Sequence, residues 1–184
     1  MDGDDEKPAG IAGYDPPRCL HELRVAAVPA PPVDLDTLCE RPNDFFALSC
    51  PCGGERFTVA SWWTEHFWLK NLVAGGPVTV RCERCGRASM IFDLAVHGHD
   101  AELGHFPPPA QTPRTDAFAC PACQATSFDL VARFEHSPNN GAGEVIASPH
   151  GEPIAATDLF TWFSLLGRCG ACGAWVTMAS VCCA

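Results

Sequence analysis

Eight of the twelve cysteines in this 184-residue chain fall in four close pairs: Cys50 with Cys52, Cys82 with Cys85, Cys120 with Cys123, and Cys169 with Cys172. A CxxC pair brings two sulfurs within one metal's reach, and two pairs close a tetrahedral four-thiolate site of the kind zinc prefers. This constrains the fold strongly, because small units that bury little core each need metal in place of the missing core. Gly53, Gly86 and Gly173 follow the second cysteine of their pairs, a position that often needs a left-handed backbone angle, which glycine supplies cheaply. Gln124 stands there in the third pair and does not fit that demand. Cys50-Pro51-Cys52 is one residue shorter than the rest, so its turn must differ, and Cys39 competes as a ligand there.

A cysteine-rich chain also invites a disulfide reading. Residues 1–8 (MDGDDEKP) argue against it, being acidic and lacking the basic start and apolar run of a secretory signal. No 18-residue apolar stretch suggests a membrane span. The expectation is a soluble cytoplasmic protein in a reducing compartment, where such pairs are more often metal ligands than disulfides. The formal charge is -10, and four thiolates around one Zn²⁺ carry about -2, so two sites move the balance to about -14. Only two lysines occur, Lys7 and Lys70. That composition disfavours nucleic acid as a partner, since no polybasic stretch is present to release its counterions.

In chain order, residues 1–18 read as a disordered acidic tail, and 19–103 as a first module. Residues 104–116 form a Pro-rich linker, and 117–184 a second module. Residues 21–28 read as a short strand or helical turn, and 34–40 (DLDTLCE) as one helical turn. Phe45-Phe46-Ala47-Leu48 is an apolar strand into the first pair, and residues 57–62 alternate with a strand's period of two. From Trp62 to Leu72 a helix competes with a continued strand. Val78-Thr79-Val80 and residues 89–94 are strands on either side of the second pair.

The second module repeats the first. A phenylalanine stands five residues after the second cysteine in both (Phe57, Phe128), Glu65-His66 returns as Glu135-His136 offset by one, and an arginine precedes the later pair (Arg81, Arg168). Residues 137–153, rich in Gly, Pro and Asn, are an insertion peculiar to the second copy, and residues 159–166 return as an aromatic strand.

The arrangement resembles the zinc-ribbon class, also called rubredoxin-like, in which two knuckles at hairpin ends clamp one zinc. The resemblance spans residues 45–94 and 118–178. It implies a mostly β, metal-stabilised fold of two tandem ribbons with short antiparallel sheets and little helix. It also implies two Zn²⁺ per chain, one on Cys50, Cys52, Cys82 and Cys85 and the other on Cys120, Cys123, Cys169 and Cys172. Residues 82–103 further resemble small bacterial zinc-ribbon proteins. Iron in an electron carrier and disulfide or redox chemistry are the alternatives for these cysteines. Cys19, Cys39, Cys182 and Cys183 are left as spare thiols.

Asp93, His97, His99, Asp100, Glu102 and His105 form the other cluster with ligand chemistry, read first as a solvated turn and second as an enzyme or metal-handling site. Trp62, Trp63, Phe67 and Trp68 are read as core ahead of a binding patch, because Phe160, Trp162 and Phe163 occupy the corresponding approach in the second copy. No Ser-His-Asp set, phosphate-cradling loop or nucleophile motif is visible. A closed four-cysteine site leaves no coordination position for water. The expectation is therefore a protein-interaction or adaptor module whose partner is another protein, with no commitment to an enzyme. The rival is a nucleic-acid-binding ribbon pair using Arg81, Arg84 and Arg87.

Overall fold

Residues Phe128–Glu135 read FDLVARFE, and the run Leu130-Val131-Ala132 puts apolar side chains on both faces of an extended chain. A strand apolar on both faces belongs in the interior of a sheet. A computed structural model describes residues 16–33, 43–61, 63–65, 72–74, 76–93, 97, 117–136 and 160–182. Ten strands run through them: β1 (Arg24–Ala27), β2 (Asn43–Ser49), β3 (Arg56–Ala60), β4 (Trp63–Glu65), β5 (Leu72–Ala74), β6 (Val78–Cys82), β7 (Ala88–Phe92), β8 (Phe128–Glu135), β9 (Trp162–Cys169) and β10 (Trp175–Cys182). A single 3-10 turn at Arg18–Leu20 precedes β1. The fold is mostly β, and every strand pair is antiparallel.

The strand β8 joins the two halves. Along one side it pairs with β9 over its whole length, from Phe128 opposite Cys169 to Glu135 opposite Trp162. Along the other it pairs first with β3, at Phe57↔Phe128 and Arg56↔Asp129. It then pairs with β2, from Ala47↔Val131 to Asn43↔Glu135. So β2 and β3 lie end to end against one neighbour, with the Cys50 turn looped out between them. From β3 the sheet continues to β6 and β7, from β2 to β1, and from β9 to β10. The Phe118 N–H donates to the Val59 carbonyl at 2.8 Å, which extends the join between halves beyond β8.

This pairing produces one core where the sequence suggested two small ones. The apolar faces of both halves fall on the same side of the sheet. Phe92 from the first half stacks on Phe163 from the second, with centroids 4.2 Å apart and planes 9° apart. Phe134 meets Phe160 edge-on at 4.8 Å. Phe46, Leu48, Val59, Val80 and Ile91 continue the same cluster. A smaller cluster of Phe45, Val131 and Leu166 lies on the other face, with Trp175, Val28 and Val33 against it. Phe160 and Phe163 are buried, as their place in the aromatic strand suggested.

Buried polar side chains gather at the end of β8 away from the cysteines. Arg133 donates to Glu135 at 3.0 Å and to Asn43 at 2.7 Å, and His136 Nε2 lies 3.4 Å from Asp44 Oδ2. The ambiguous tract after Trp62 contains two short strands, β4 and β5, paired from Trp63↔Ala74 to Glu65↔Leu72. The expected acidic tail through residue 15, the turn at 34–40 with Cys39, the linker at 104–116, the insertion at 137–153 and Cys183 lie outside the described residues, as do Trp62, Phe67 and Trp68.

Candidate metal centres

Each cysteine pair sits on a knuckle closed by the same two backbone hydrogen bonds. In the second knuckle the Cys82 N–H donates to the Arg87 carbonyl at 2.9 Å, and the Gly86 N–H returns to the Cys82 carbonyl at 2.8 Å. The third uses Cys120 with Ala125 and Gln124 with Cys120, both at 2.8 Å. The fourth uses Cys169 with Ala174 at 2.8 Å and Gly173 with Cys169 at 2.9 Å. The short first knuckle also closes this way, through Cys50 with Gly54 and Gly53 with Cys50, both at 2.8 Å. Its turn is one residue tighter, and the closing bonds are retained.

The closure requires a left-handed residue after the second cysteine. Gly53, Gly86 and Gly173 have φ of 81°, 75° and 74°. Gln124 adopts the same conformation, at φ 63°, although a side chain disfavours it. The sequence reading that Gln124 fails the demand holds for its residue type, but the backbone meets it. The two hydrogen bonds and the sulfurs they position outweigh the torsional cost.

The knuckles bring the eight sulfurs into two tetrads. Cys50, Cys52, Cys82 and Cys85 form one and Cys120, Cys123, Cys169 and Cys172 the other, all sulfurs of a tetrad lying within 4.8 Å of one another. Among the described residues these are the clusters of metal-donor side chains found. Sulfur separations are 3.6 Å for Cys50–Cys85, 3.7 Å for Cys52–Cys82, 3.7 Å for Cys120–Cys172 and 3.5 Å for Cys123–Cys169. A disulfide needs about 2.05 Å, and these cysteines are free. A tetrahedron of thiolates about 2.3 Å from a central ion has edges of about 3.8 Å, so the donor set fits a four-coordinate soft metal. In each tetrad the first cysteine of each knuckle is buried and the second exposed.

The closeness of the sulfurs also spreads their proton affinities. Cys169 is pulled down to about 6, first by the Cys172 N–H, then by the Ala171 N–H and the Cys123 and Cys172 sulfurs, against the cost of burial. Cys123 is pushed up to about 12: the Ala125 N–H lowers it, but the sulfurs of Cys172, Cys169 and Cys120 and its desolvation together outweigh that bond. Cys50 also rises to about 12, because burial and the Cys52, Cys85 and Cys82 sulfurs overcome the Cys52 N–H. Four sulfurs this close share protons, and a divalent cation replaces those protons.

The two centres share one row across the sheet. Cys82 faces Phe57, Phe57 faces Phe128, and Phe128 faces Cys169. The repeated phenylalanines are the buried spacer between the tetrads. Their surroundings differ. Arg84 donates to the Cys52 carbonyl at 2.9 Å and Arg81 to the Gly86 carbonyl at 3.2 Å. The turns of the second centre, Pro121-Ala122-Cys123-Gln124 and Gly170-Ala171-Cys172-Gly173, contain no charged side chain.

Of the remaining candidate residues, His97 accepts the Asp93 N–H on Nδ1 at 2.9 Å. His99, Asp100, Glu102 and His105 lie outside the described residues. Cys19 is buried within the core cluster, and Cys182 ends β10. Sequence reasoning missed Gly54, Arg56 and Ser127, which pack on the knuckles. Only the extra glycine of Gly53-Gly54 offered a signal. The fold and site define a protein with two four-cysteine metal-binding centres on a shared antiparallel sheet. Comparison of the chain with family models, curated proteins and solved structures finds no match.

Proposed function

We propose that the metal is zinc, that both centres are structural, and that the protein is an interaction or adaptor module for another protein in a reducing, cytoplasmic setting. One observation carries this reading: eight thiols gathered into two tetrads with tetrahedral spacing, four donors apiece. Four protein donors fill a zinc ion's coordination, which suits a structural site and leaves no position for a reacting water. The matching closures of all four knuckles support one ribbon plan used twice, over 19–103 and 117–184. Charge supports a protein partner over nucleic acid, since the chain carries -10 before its thiolates are counted. Arg81 and Arg84, two of the three arginines of the nucleic-acid reading, are engaged by knuckle carbonyls.

Purification under reducing conditions followed by metal analysis should give two zinc ions per chain. A metal-free chain with intact disulfides ends the reading, and iron with a thiolate charge-transfer spectrum replaces it with an electron carrier. The adaptor role is tested by cross-linking the holo protein in its native cell. A specific protein partner supports it. Salt-dependent capture of single-stranded nucleic acid, lost on Arg81→Gln/Arg84→Gln substitution, would displace it.

A further inference from the structure

We infer that the two metal centres load and empty as one cooperative unit, coupled through Arg56 and Ser127. The inference rests on the tetrads being metal centres. Ser127 is hydrogen-bonded to one knuckle of each centre, and Arg56 is hydrogen-bonded to one and packed against the other. The Arg56 carbonyl accepts the N–H of Glu83, inside the second knuckle, at 3.0 Å. The same residue's guanidinium lies directly over Gly170 of the fourth knuckle, where a β-carbon would collide with it. Ser127 reverses the arrangement. Its carbonyl accepts the Gly170 N–H at 2.8 Å, and its hydroxyl donates to the Glu83 carboxylate at 2.9 Å.

Arg56 and Ser127 immediately precede Phe57 and Phe128, the pair that joins the two halves. Opening the second knuckle therefore releases both the N–H and the carboxylate of Glu83. That loosens Ser127, whose carbonyl holds the Gly170 N–H, and Arg56, which packs over Gly170, and opening the fourth knuckle loosens Glu83 through the same two residues. The Arg56–Asp129 ion pair at 2.9 Å is too exposed to couple the centres alone. The coupling lies in the bridging bonds and the shared sheet row.

A metal ion fixes its knuckles, since its binding free energy is also ordering free energy. Each ion thus prepares the other's knuckle. Repulsion between two negative centres opposes this. Three strand spacings of about 4.8 Å separate Cys82 from Cys169, roughly 14 Å, nearly two Debye lengths of about 8 Å at physiological salt. The direct line passes through buried phenylalanines that salt does not reach, while Cys52, Cys85, Cys123 and Cys172 are exposed, so the repulsion is screened only in part and the bonded route has to exceed it.

The test uses the whole wild-type chain loaded with zinc and titrated with a chelator. Hydrogen exchange is followed at the Gly86 and Gly173 amides, and metal content by native mass spectrometry. Both amides should lose protection at the same chelator concentration, within about twofold. Protection of Gly86 persisting after Gly173 has opened, or the reverse, overturns the inference.

Linkage requires reciprocity, so Cys123→Ser/Cys172→Ser should weaken zinc at the first centre by about tenfold or more, and Cys52→Ser/Cys85→Ser should weaken the second by the same factor. The double variant Arg56→Gln/Ser127→Ala keeps all eight ligands and should still bind two zincs, but release them in two steps. Single-step release from that variant overturns the assigned route. A wild-type chain that binds no zinc overturns the reading of the tetrads themselves, which metal content distinguishes from two zincs released independently.

Discussion

The first knuckle and the third are the earlier knuckles of their centres, each leading into a strand, β3 and β8, and they close by the same pair of hydrogen bonds. They satisfy the closure under different constraints. At residues 50–54 the turn is short, and Gly54 is drawn against the opposite knuckle. A β-carbon there would lie 2.7 Å from Cys82 Sγ and 3.0 Å from Arg84 Cβ. At residues 120–125 one more residue opens the turn, and alanine stands in the equivalent place, Ala125. The left-handed position shows the opposite contrast, with Gly53 in the short turn and Gln124 in the long one. The limit on the first knuckle is steric and set by a ligand sulfur. The limit on the third is torsional.

The largest effect should follow from Gly54→Ala. Neither Cys82 Sγ nor Arg84 Cβ is the free end of a flexible side chain, so the added methyl displaces a ligand. Zinc affinity at the first centre should fall by about ten- to a hundredfold, the range seen when supports of metal ligands are removed. Chelator competition measures this directly. Ala125→Gly is the mirror substitution and should leave the second centre within twofold of wild type. Equal tolerance of both changes would remove the steric half of the comparison.

Exchanging the residues at the left-handed position probes the torsional half. Gly53→Gln should cost about 1 to 2 kcal/mol, the penalty of a left-handed angle for a residue with a β-carbon. Its new side chain would also approach Arg84, since a β-carbon at Gly53 lies 3.3 Å from Arg84 Nη1. Gln124→Gly should stabilise the holo protein by roughly 0.5 to 1 kcal/mol. Relief of the backbone exceeds the greater freedom of glycine in the unfolded chain. The Gln124 side chain reaches the Cys120 carbonyl only at 3.4 Å, too long to offset that gain. Thermal unfolding of zinc-loaded protein reads both. Destabilisation by Gln124→Gly would mean that the glutamine side chain contributes to the knuckle.

These contrasts also mark what the sequence made legible. Cysteine spacing and the glycines after three pairs encode local geometry, because a knuckle is a turn of a few residues whose requirements are written in adjacent positions. Phe57 and Phe128 were recognisable as strand starts for the same reason. The pairing of β2 and β3 with one strand was not, since Asn43 opposite Glu135 joins residues 92 apart and no local pattern specifies such a register. A hint lay in Leu130-Val131-Ala132, apolar on both faces and so suited to the middle of a sheet. Gln124 was marked by its position after the third pair, but its residue type hid the left-handed angle, because a residue forced into an uncommon conformation by its neighbours looks ordinary in sequence. Arg56 and Ser127 were invisible for a related reason: each matters only because the long-range register places it between two knuckles.

The smallest effect concerns the brace on the first centre. Arg84 reaches from the second knuckle to the Cys52 carbonyl at 2.9 Å, and the equivalent position in the fourth knuckle is Ala171. A charged donor on a carbonyl beside four thiolates both satisfies a turn acceptor and offsets negative charge, but Arg84 is solvent-exposed, and salt weakens it. Arg84→Ala should therefore cost only about 0.5 to 1 kcal/mol of holo stability, with the difference shrinking as salt rises. Ala171→Arg should place a guanidinium within reach of the third knuckle and recover up to the same amount at the second centre. Salt-dependent melting of the two variants separates the outcomes. If Arg84→Ala costs stability and Ala171→Arg adds none, the brace depends on the short turn that brings Cys52 close. The difference between the first and third knuckles would then extend from their backbones to the charges around them.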